Sequence, residues 1–408
     1  MKLHTGKLYW PEVPLTRVAA PNPLPRMDQF DVIIVGAGMS GMISAFRLSK
    51  AGHKVLLVDR QGVGTGSTAA NTGLIQYMSD AGVHEYAKQI GPAMAKAFYL
   101  WSQEAVGTLA DIARTLGPAP ERAAQVTRSL LIATNKPSVG YLSREYEAQK
   151  KLKLDVALYE KEDLSKQRLK GLSALSTRPD LALNPYAFVH HMGAYAQQHH
   201  GLTILDGVRY VSHRQNKEGG LTITLARGKQ HIKAQCPRLI LATGYAPPKS
   251  IAHKLRHLEL YTSYVVVTDV PDVDTPTLPA MLWEKKDAYT YVRNTFDGRL
   301  MIGGRDRKSS TLTAADARKN RESLLRAAGT LVEGLNETAP TYSYAALFGE
   351  SKDSLPYMGE DPEQPEVFII CGLGGNGTVY SAIASDIALD WMQGKNPRKA
   401  AQLFRIGR

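Results

Sequence analysis

Two cysteines, Cys236 and Cys371, are all that a chain of 408 residues contains. That is too few for a disulfide framework or a cysteine-rich metal cluster. Each lies beside or within an apolar run, so both are expected as buried thiols in a reducing, cytoplasmic setting. No apolar stretch approaches the roughly 18 residues needed to cross a bilayer. Residues 1–28 lack the continuous apolar core of a signal peptide and, interrupted by prolines, read as an extended N-terminal arm. Basic clusters are missing too. The formal charge is +12, yet no block of five or six consecutive Lys or Arg occurs. A solvated basic surface is therefore expected, rather than a nucleic-acid or membrane partner. His190–His191 and His199–His200 have no cysteine or carboxylate at metal-ligand spacing. They are expected as polar positions on one helix, and no metal site is expected.

The bulk composition, 43% hydrophobic and 22% charged, suits a globular protein with two or three domain-sized units. Its first strong element is the β-branched run Asp31–Gly36, followed by a helix pattern from Met39 to about Lys50 and a second buried strand, Lys54–Asp59. This is the strand–helix–strand unit of a parallel sheet. Gly36-Ala37-Gly38-Met39-Ser40-Gly41 sits at its turn and fits G-x-G-x-x-G. Gly36 allows the turn, Gly38 lets backbone approach a pyrophosphate, and Gly41 lets the helix pack close to the strand. The helix N-terminus attracts phosphate, and Asp59, about twenty residues on, can accept hydrogen bonds from ribose hydroxyls. Arg60 follows it. The motif serves NAD and FAD alike.

Three further segments favour FAD. The loop Gly62–Tyr77 offers amides and hydroxyls at Gly66, Ser67 and Thr68, and continues through Asn71, Thr72, Gly73 and Leu74. Ala242-Thr243-Gly244 ends a later buried strand with residues small enough to pass close to a nucleotide. Gly374, Gly375, Asn376, Gly377 and Thr378 lie in a glycine turn that aims the last helix's N-terminus inward, a second anion site. Met39, Ser40 and Val208 complete the expected cofactor contacts. Helices are also expected over 83–116, Pro185–His199, Ala314–Glu333 and Thr378–Gln393, with a mixed stretch after 116.

The order of DVIIVGAGMSGM, VLLVDR, GTGSTAANTG, RLILATG, YVRNTFDGRLMIGGR, DSLPYMG and GLGGNG resembles the glycine oxidase/D-amino-acid oxidase superfamily, which includes sarcosine oxidase and γ-glutamylputrescine oxidase. The likeness covers about residues 30–405. It implies an α/β fold: a Rossmann-type FAD-binding domain with a second, α+β substrate domain built on an antiparallel sheet. The expected division is 29–115, 180–255 and 340–408 for the discontinuous FAD domain, and 116–179 with 256–339 for the substrate domain. It also implies hydride transfer from the carbon beside an amine to the flavin, giving an imine that hydrolyses, with O₂ or another acceptor taking the electrons.

By similarity to the family's Y-x-R segment, Tyr291 is expected to face substrate and Arg293 to anchor an anion or a loop. Cross-strand tyrosines and a surface arginine are the alternative. Tyr289 and Tyr291 share one strand face. Three departures matter. The arginines that hold a substrate carboxylate in amino-acid-using relatives are replaced by Phe348 and Gly375, so amino-acid oxidation would fall to Arg293 or Arg305. Met301 stands where sarcosine oxidase has the lysine that promotes reaction with O₂. Leu347 stands where covalent-flavin relatives have cysteine, so FAD is expected to be non-covalent. The leading reading is an FAD-dependent oxidoreductase, oxidase or dehydrogenase, acting on the C–N bond of a small amine or amino acid. The alternatives are oxidative removal of a group from modified tRNA, a non-amine FAD dehydrogenase, a nicotinamide enzyme and a non-catalytic flavin binder.

Overall fold

The run Val32–Val35 is β-branched throughout and buried at every position, the signature of a strand covered on both faces. The computed structural model describes all residues except 1, 16–17, 26, 28–29, 118–123, 218, 256, 271–276 and 336–338. In it this strand lies inside a six-stranded sheet. The spatial order is Tyr357–Asp361, Gln364–Cys371, Arg238–Leu241, Val32–Val35, Val55–Val58, Thr203–Leu205. Neighbours run parallel except for the hairpin at the edge formed by the first two. The three glycine-punctuated strand regions, far apart in sequence, thus share one sheet.

The two faces of this sheet are covered differently. Val32, Ile34 and Leu57 pack into a core with the helices Met39–Lys50, Pro92–Leu116, Pro185–His200 and Gly377–Met392. Ile33, Val35 and Leu56 pack instead against Leu221, Ile223 and Leu225 of a three-stranded antiparallel sheet. Alternation along the strand therefore sorts side chains between two different layers. The helical stretch 83–116 is broken in two, Val83–Gln89 and Pro92–Leu116, at Gly91 with φ +84°. Pro92 at the first helical position starts the second helix.

The helix expected at Pro185 forms as Pro185–His200, but His190 and His191 are not polar surface positions: they are 6% and 1% exposed. Other helices and the loop before Ser67 cover both sides of that turn, and His190 packs edge-on against Tyr186 at 4.7 Å. Burial pulls the His190 pKa down to about 4. Cys236 and Cys371 are both buried and free.

A ten-stranded, mostly antiparallel sheet forms the second layer. Its path is His4–Gly6, Pro340–Glu350, Glu259–Thr268, Leu300–Lys308, Thr290–Asn294, Met281–Glu284, Ala124–Ala133, Ser173–Leu183 and Leu74–Ile75, with Asp155–Glu160 beside Ser173–Leu183. The mixed stretch after 116 supplies three of these strands. Residues 340–350, grouped with the nucleotide-binding part in the expected division, lie instead in this sheet beside Glu259–Thr268. No helix among the described residues is long and apolar enough to cross a membrane.

The N-terminal arm packs on its own chain. Residues 1, 16–17, 26 and 28 of it lie outside the described residues. His4–Gly6 adds an edge strand to Pro340–Glu350. Tyr9 and Trp10 then enter a cluster with Ala70, Val265, Val267, Met301 and Tyr344. Trp10 Nε1 donates to the Asn71 carbonyl at 2.7 Å, and Tyr9 Oη donates to Asp297 at 2.6 Å. Trp10 is 1% exposed, so Trp10→Ala should cost about 3–5 kcal/mol of stability. Urea unfolding followed by circular dichroism measures this, and an unchanged midpoint would show that the arm is not part of the folded unit.

Candidate active site

The first glycine turn is held by short contacts that leave no room for side chains. A Cβ on Gly41 would lie 1.8 Å from the Gly36 carbonyl oxygen, so the helix can sit this close to the strand only with glycine there. The N-terminus at Gly38 has no cap from its own side chain. Thr68, from the following loop, accepts the Met39 amide at 2.9 Å. Asp59 accepts the amides of Ala37 at 2.8 Å, Gln61 at 2.7 Å and Gly62 at 3.1 Å. These bonds orient its carboxylate and leave lone pairs free for a ribose.

A cavity of about 590 Å³ opens over this turn. Gly36, Gly38, Met39, Ser40, Asp59, Arg60, Gly66, Ser67, Thr68, Asn71, Val208, Ala242, Thr243, Gly244, Gly377 and Thr378 all line it. Two helix N-termini converge there, and their helices are fastened by Ser40 Oγ to Ser381 Oγ at 2.7 Å and by Arg47 to Asp386 at 2.5 Å. Ser67 Oγ and Thr378 Oγ1 are buried without a hydrogen-bond partner. Buried hydroxyls are almost always satisfied, so a polar ligand bridging the two termini fits this site. A dinucleotide would place its pyrophosphate at Gly38 and its ribose at Asp59.

A second cavity of about 160 Å³ adjoins the first, sharing Ser67, Asn71 and Tyr245 as walls. Thr72, Leu74, Gly374, Gly375 and Asn376 line this smaller space, not the larger one. Gly73 lines neither. Tyr289 and Tyr291 both face the small cavity, with ring centroids 6.1 Å apart. Tyr291 reaches it because Gly303 lies opposite on the next strand: a Cβ there would stand 2.1 Å from the Tyr291 hydroxyl. Leu347, Phe348, Trp283 and Val265 complete the apolar wall.

The remaining nominated residues lie outside both cavities. Arg293 is 1% exposed, not a surface arginine. Its guanidinium donates to the carbonyls of Gly73 at 2.6 Å, Leu183 at 2.8 Å and Thr72 at 3.2 Å, and lies near the Trp10 and Phe296 rings. It holds a loop, and burial lowers its pKa to about 10. Met301 is fully buried in the Trp10 cluster. Arg305 adopts φ +58° and donates its amide to the Tyr289 carbonyl.

Sequence reasoning missed the charged part of the small cavity. Asp80 and Asp306 line it, and among the described residues none that lines it is basic. Tyr289 Oη donates to Asp306 Oδ2 at 2.6 Å, while Asp306 Oδ1 is buried without a partner. Enclosure by protein, then the negative charges of Glu350 and Asp306, push the Asp80 pKa up to about 6. Burial also raises the pKa values of Asp306 and Glu350. Neither aspartate lies in a recognisable motif. Only the alternation that puts Asp306 two residues beyond Gly304 hinted at its strand.

The family model described as "FAD dependent oxidoreductase" (DAO) matches residues 31–391. Glycine oxidase of Geobacillus kaustophilus (strain HTA426) is 23% identical over 392 residues, 90% of this chain and 94% of that protein. The crystal structure of glycine oxidase from Geobacillus kaustophilus superposes with a TM-score of 0.78 at 21% identity, over 93% of this chain and 98% of that one. L-α-glycerophosphate oxidase from Mycoplasma pneumoniae, solved with FAD bound, gives 0.70 at 18% identity, over 90% and 95%. A match over most of the chain, together with the two glycine turns closing one cavity, makes this protein a member of the DAO family of FAD-dependent oxidoreductases, with FAD as its cofactor.

Proposed function

We propose that this enzyme oxidises the C–N bond of a small amine that lacks an α-carboxylate, with FAD held non-covalently. The observation that carries the reading is the small cavity beside the flavin site, lined by two carboxylates and no basic side chain. An amino-acid carboxylate wants a guanidinium. The positions where amino-acid-using relatives supply one are Phe348 and Gly375 here, both on the cavity wall. Arg293 is committed to backbone carbonyls, and Arg305 does not line the cavity. The same carboxylates oppose an anionic donor such as a phosphate ester.

Bound FAD supplies the two-electron acceptor for a hydride equivalent from the carbon next to nitrogen, giving an imine that hydrolyses. The chain's own residues do the rest. Tyr289, Tyr291, Phe348 and Trp283 enclose the substrate's carbon chain and exclude water. Asp80 attracts the ammonium and, with a proton affinity near neutrality, takes its proton so that the nitrogen lone pair is available. No cysteine lines either cavity, which supports non-covalent binding.

Acid precipitation should therefore leave the protein pellet colourless and FAD in the supernatant; flavin retained by the pellet would contradict this. Anaerobic addition of simple amines should bleach the flavin, and glycine and other α-amino acids should not. Readmitted air should restore the colour slowly, because Met301 aligns with sarcosine oxidase's oxygen-promoting lysine and, among the described residues, no basic side chain lines the small cavity.

Asp80 ionises as pH rises through about 6. The groups that act on it are Glu350 and Asp306, which raise its pKa, and Lys285, which lowers it. Amines remain cationic across that range, so kcat/KM should climb between pH 5 and 7. In Asp80→Asn the climb should disappear, and the rate at pH 8 should fall by roughly 10²-fold. A wild-type slope persisting in the variant would remove Asp80 from this role.

A further inference from the structure

Asp80 alone would suffice to attract one ammonium, yet the small cavity holds more negative charge than that. Asp306 comes from the strand Leu300–Lys308, Asp80 from the loop after Leu74–Ile75, and Glu350 from the end of Pro340–Glu350. Glu350 stands behind the second glycine turn, its Cγ 3.9 Å from where a Cβ on Gly374 would lie, and Asp80 Oδ2 lies 3.5 Å from the same point on Gly375. Four separate segments thus converge on one wall. Asp80 and Asp306 line the cavity that shares Ser67, Asn71 and Tyr245 with the larger one, and Glu350 lies outside its lining.

No protein cation answers these charges from within the cavity. Lys285 is the basic group nearest Asp80, but its ammonium donates to the Asp80 backbone carbonyl at 3.4 Å, pairs with Glu85 at 3.9 Å and lies over the Tyr141 ring. Asp306 is held by Tyr289 through Oδ2, with the Ser263 hydroxyl also against its carboxylate, and Oδ1 is buried without a hydrogen-bond partner. Among the described residues, no group of three or more His, Cys, Asp or Glu is arranged to hold a metal ion.

Chemistry sharpens the point. The reacting nitrogen must give up its proton before its lone pair can assist oxidation. Once Asp80 has taken that proton, a monoamine is neutral beside Asp306, with Glu350 behind the glycine turn, and their charge stays unanswered in an enclosed space. A charge that stays protonated throughout would offset them.

We propose, building on the amine reading above, that the substrate is a short aliphatic diamine, and that Asp306, supported by Glu350, holds its second, non-reacting ammonium. Asp80 serves the reacting end. Tyr289 then has a defined part: its hydroxyl orients Asp306 so that Oδ1 points to the distant nitrogen. The apolar walls, Tyr291, Phe348 and Trp283, suit the methylenes between the two charges.

The test uses the FAD-loaded enzyme and anaerobic stopped-flow reduction with matched pairs. These are 1,3-diaminopropane to 1,6-diaminohexane, the corresponding n-alkylmonoamines, and the ω-amino carboxylates of equal length. At least one diamine should reduce the flavin with an apparent Kd roughly ten- to hundredfold lower than its monoamine, the range of a charge-assisted hydrogen bond. The ω-amino carboxylate should be worse than the monoamine. In Asp306→Asn that diamine advantage should vanish, the diamine's Kd rising to that of its monoamine in the same variant, while the pH profiles of both shift together to lower pH as Asp80 loses a negative neighbour. Asp306→Glu should restore part of it, which a merely misfolded Asn variant could not explain. A monoamine that matches every diamine in wild type would overturn the proposal and leave the amine reading intact. So would an unchanged diamine preference in Asp306→Asn. If dithionite reduces the flavin but no amine of either kind does, the amine reading fails and this proposal falls with it.

Discussion

The Arg293 guanidinium, buried beneath Trp10, bonds to the carbonyls of Thr72, Gly73 and Leu183. Those three bonds tie the antiparallel sheet to the loop that runs between the flavin cavity and the small cavity. The loop has little else to define it: Ser67–Ala70 is a single helical turn, and Leu74–Ile75 is a two-residue strand at the edge of the large sheet. Yet Ser67, Thr68 and Asn71 line the flavin cavity, while Thr72, Leu74 and Gln76 line the other. A buried cation with no carboxylate partner is expensive unless its hydrogen bonds are made. Backbone carbonyls take the Nη1 and Nε donors here while Nη2 is buried without a partner, so losing the Thr72 and Gly73 bonds would leave the cation still less satisfied. Trp10 adds a bond to the Asn71 carbonyl from the other side, so the N-terminal arm is a component of the site's scaffold.

The electrostatics of the two cavities differ for structural reasons. The flavin cavity is built where helices begin, so amides and partial positive charge face inward. The small cavity is built from strand side chains and turns, and its charges are carboxylates. Burial, then the charges of Glu350 and Asp306, raise the Asp80 pKa to about 6. With Phe348 and Gly375 in place of arginines, nothing in that space competes for the negative charge.

The sheet also determines which tyrosines matter. Tyr289 and Tyr291 alternate with Thr290 and Val292, so they share a face. Gly303 on the neighbouring strand makes the room that Tyr291 occupies. The tyrosine pair was legible from period-two alternation alone. That Tyr289 steers a carboxylate was not, because Asp306 lies seventeen positions away and meets it only through strand pairing.

The nucleotide-binding half was legible because its determinants are local: β-branched strands, glycine turns and helix starts within a few residues of one another dictate their own backbone geometry. The parallel unit at Val32–Val58 and the inward-aimed terminus at Gly377 followed from that. Residues whose meaning depends on distant partners were not readable. Arg293 shows the difference, since nothing around it in sequence tells whether it meets a carboxylate, solvent or three carbonyls. His190 and His191 look polar by type and are buried in a helix that packs against Met39–Lys50 and Pro92–Leu116. The acidic wall is the extreme case. Asp80, Asp306 and Glu350 stand in unrelated segments, and their mutual repulsion exists only where the large sheet and the second glycine turn bring them together. The sequence alone determined that this is a dinucleotide-binding fold and which glycine turns open onto its cavity. The tertiary structure decided what charge lines the small cavity, because electrostatic potential is a sum over neighbours that the chain order does not reveal.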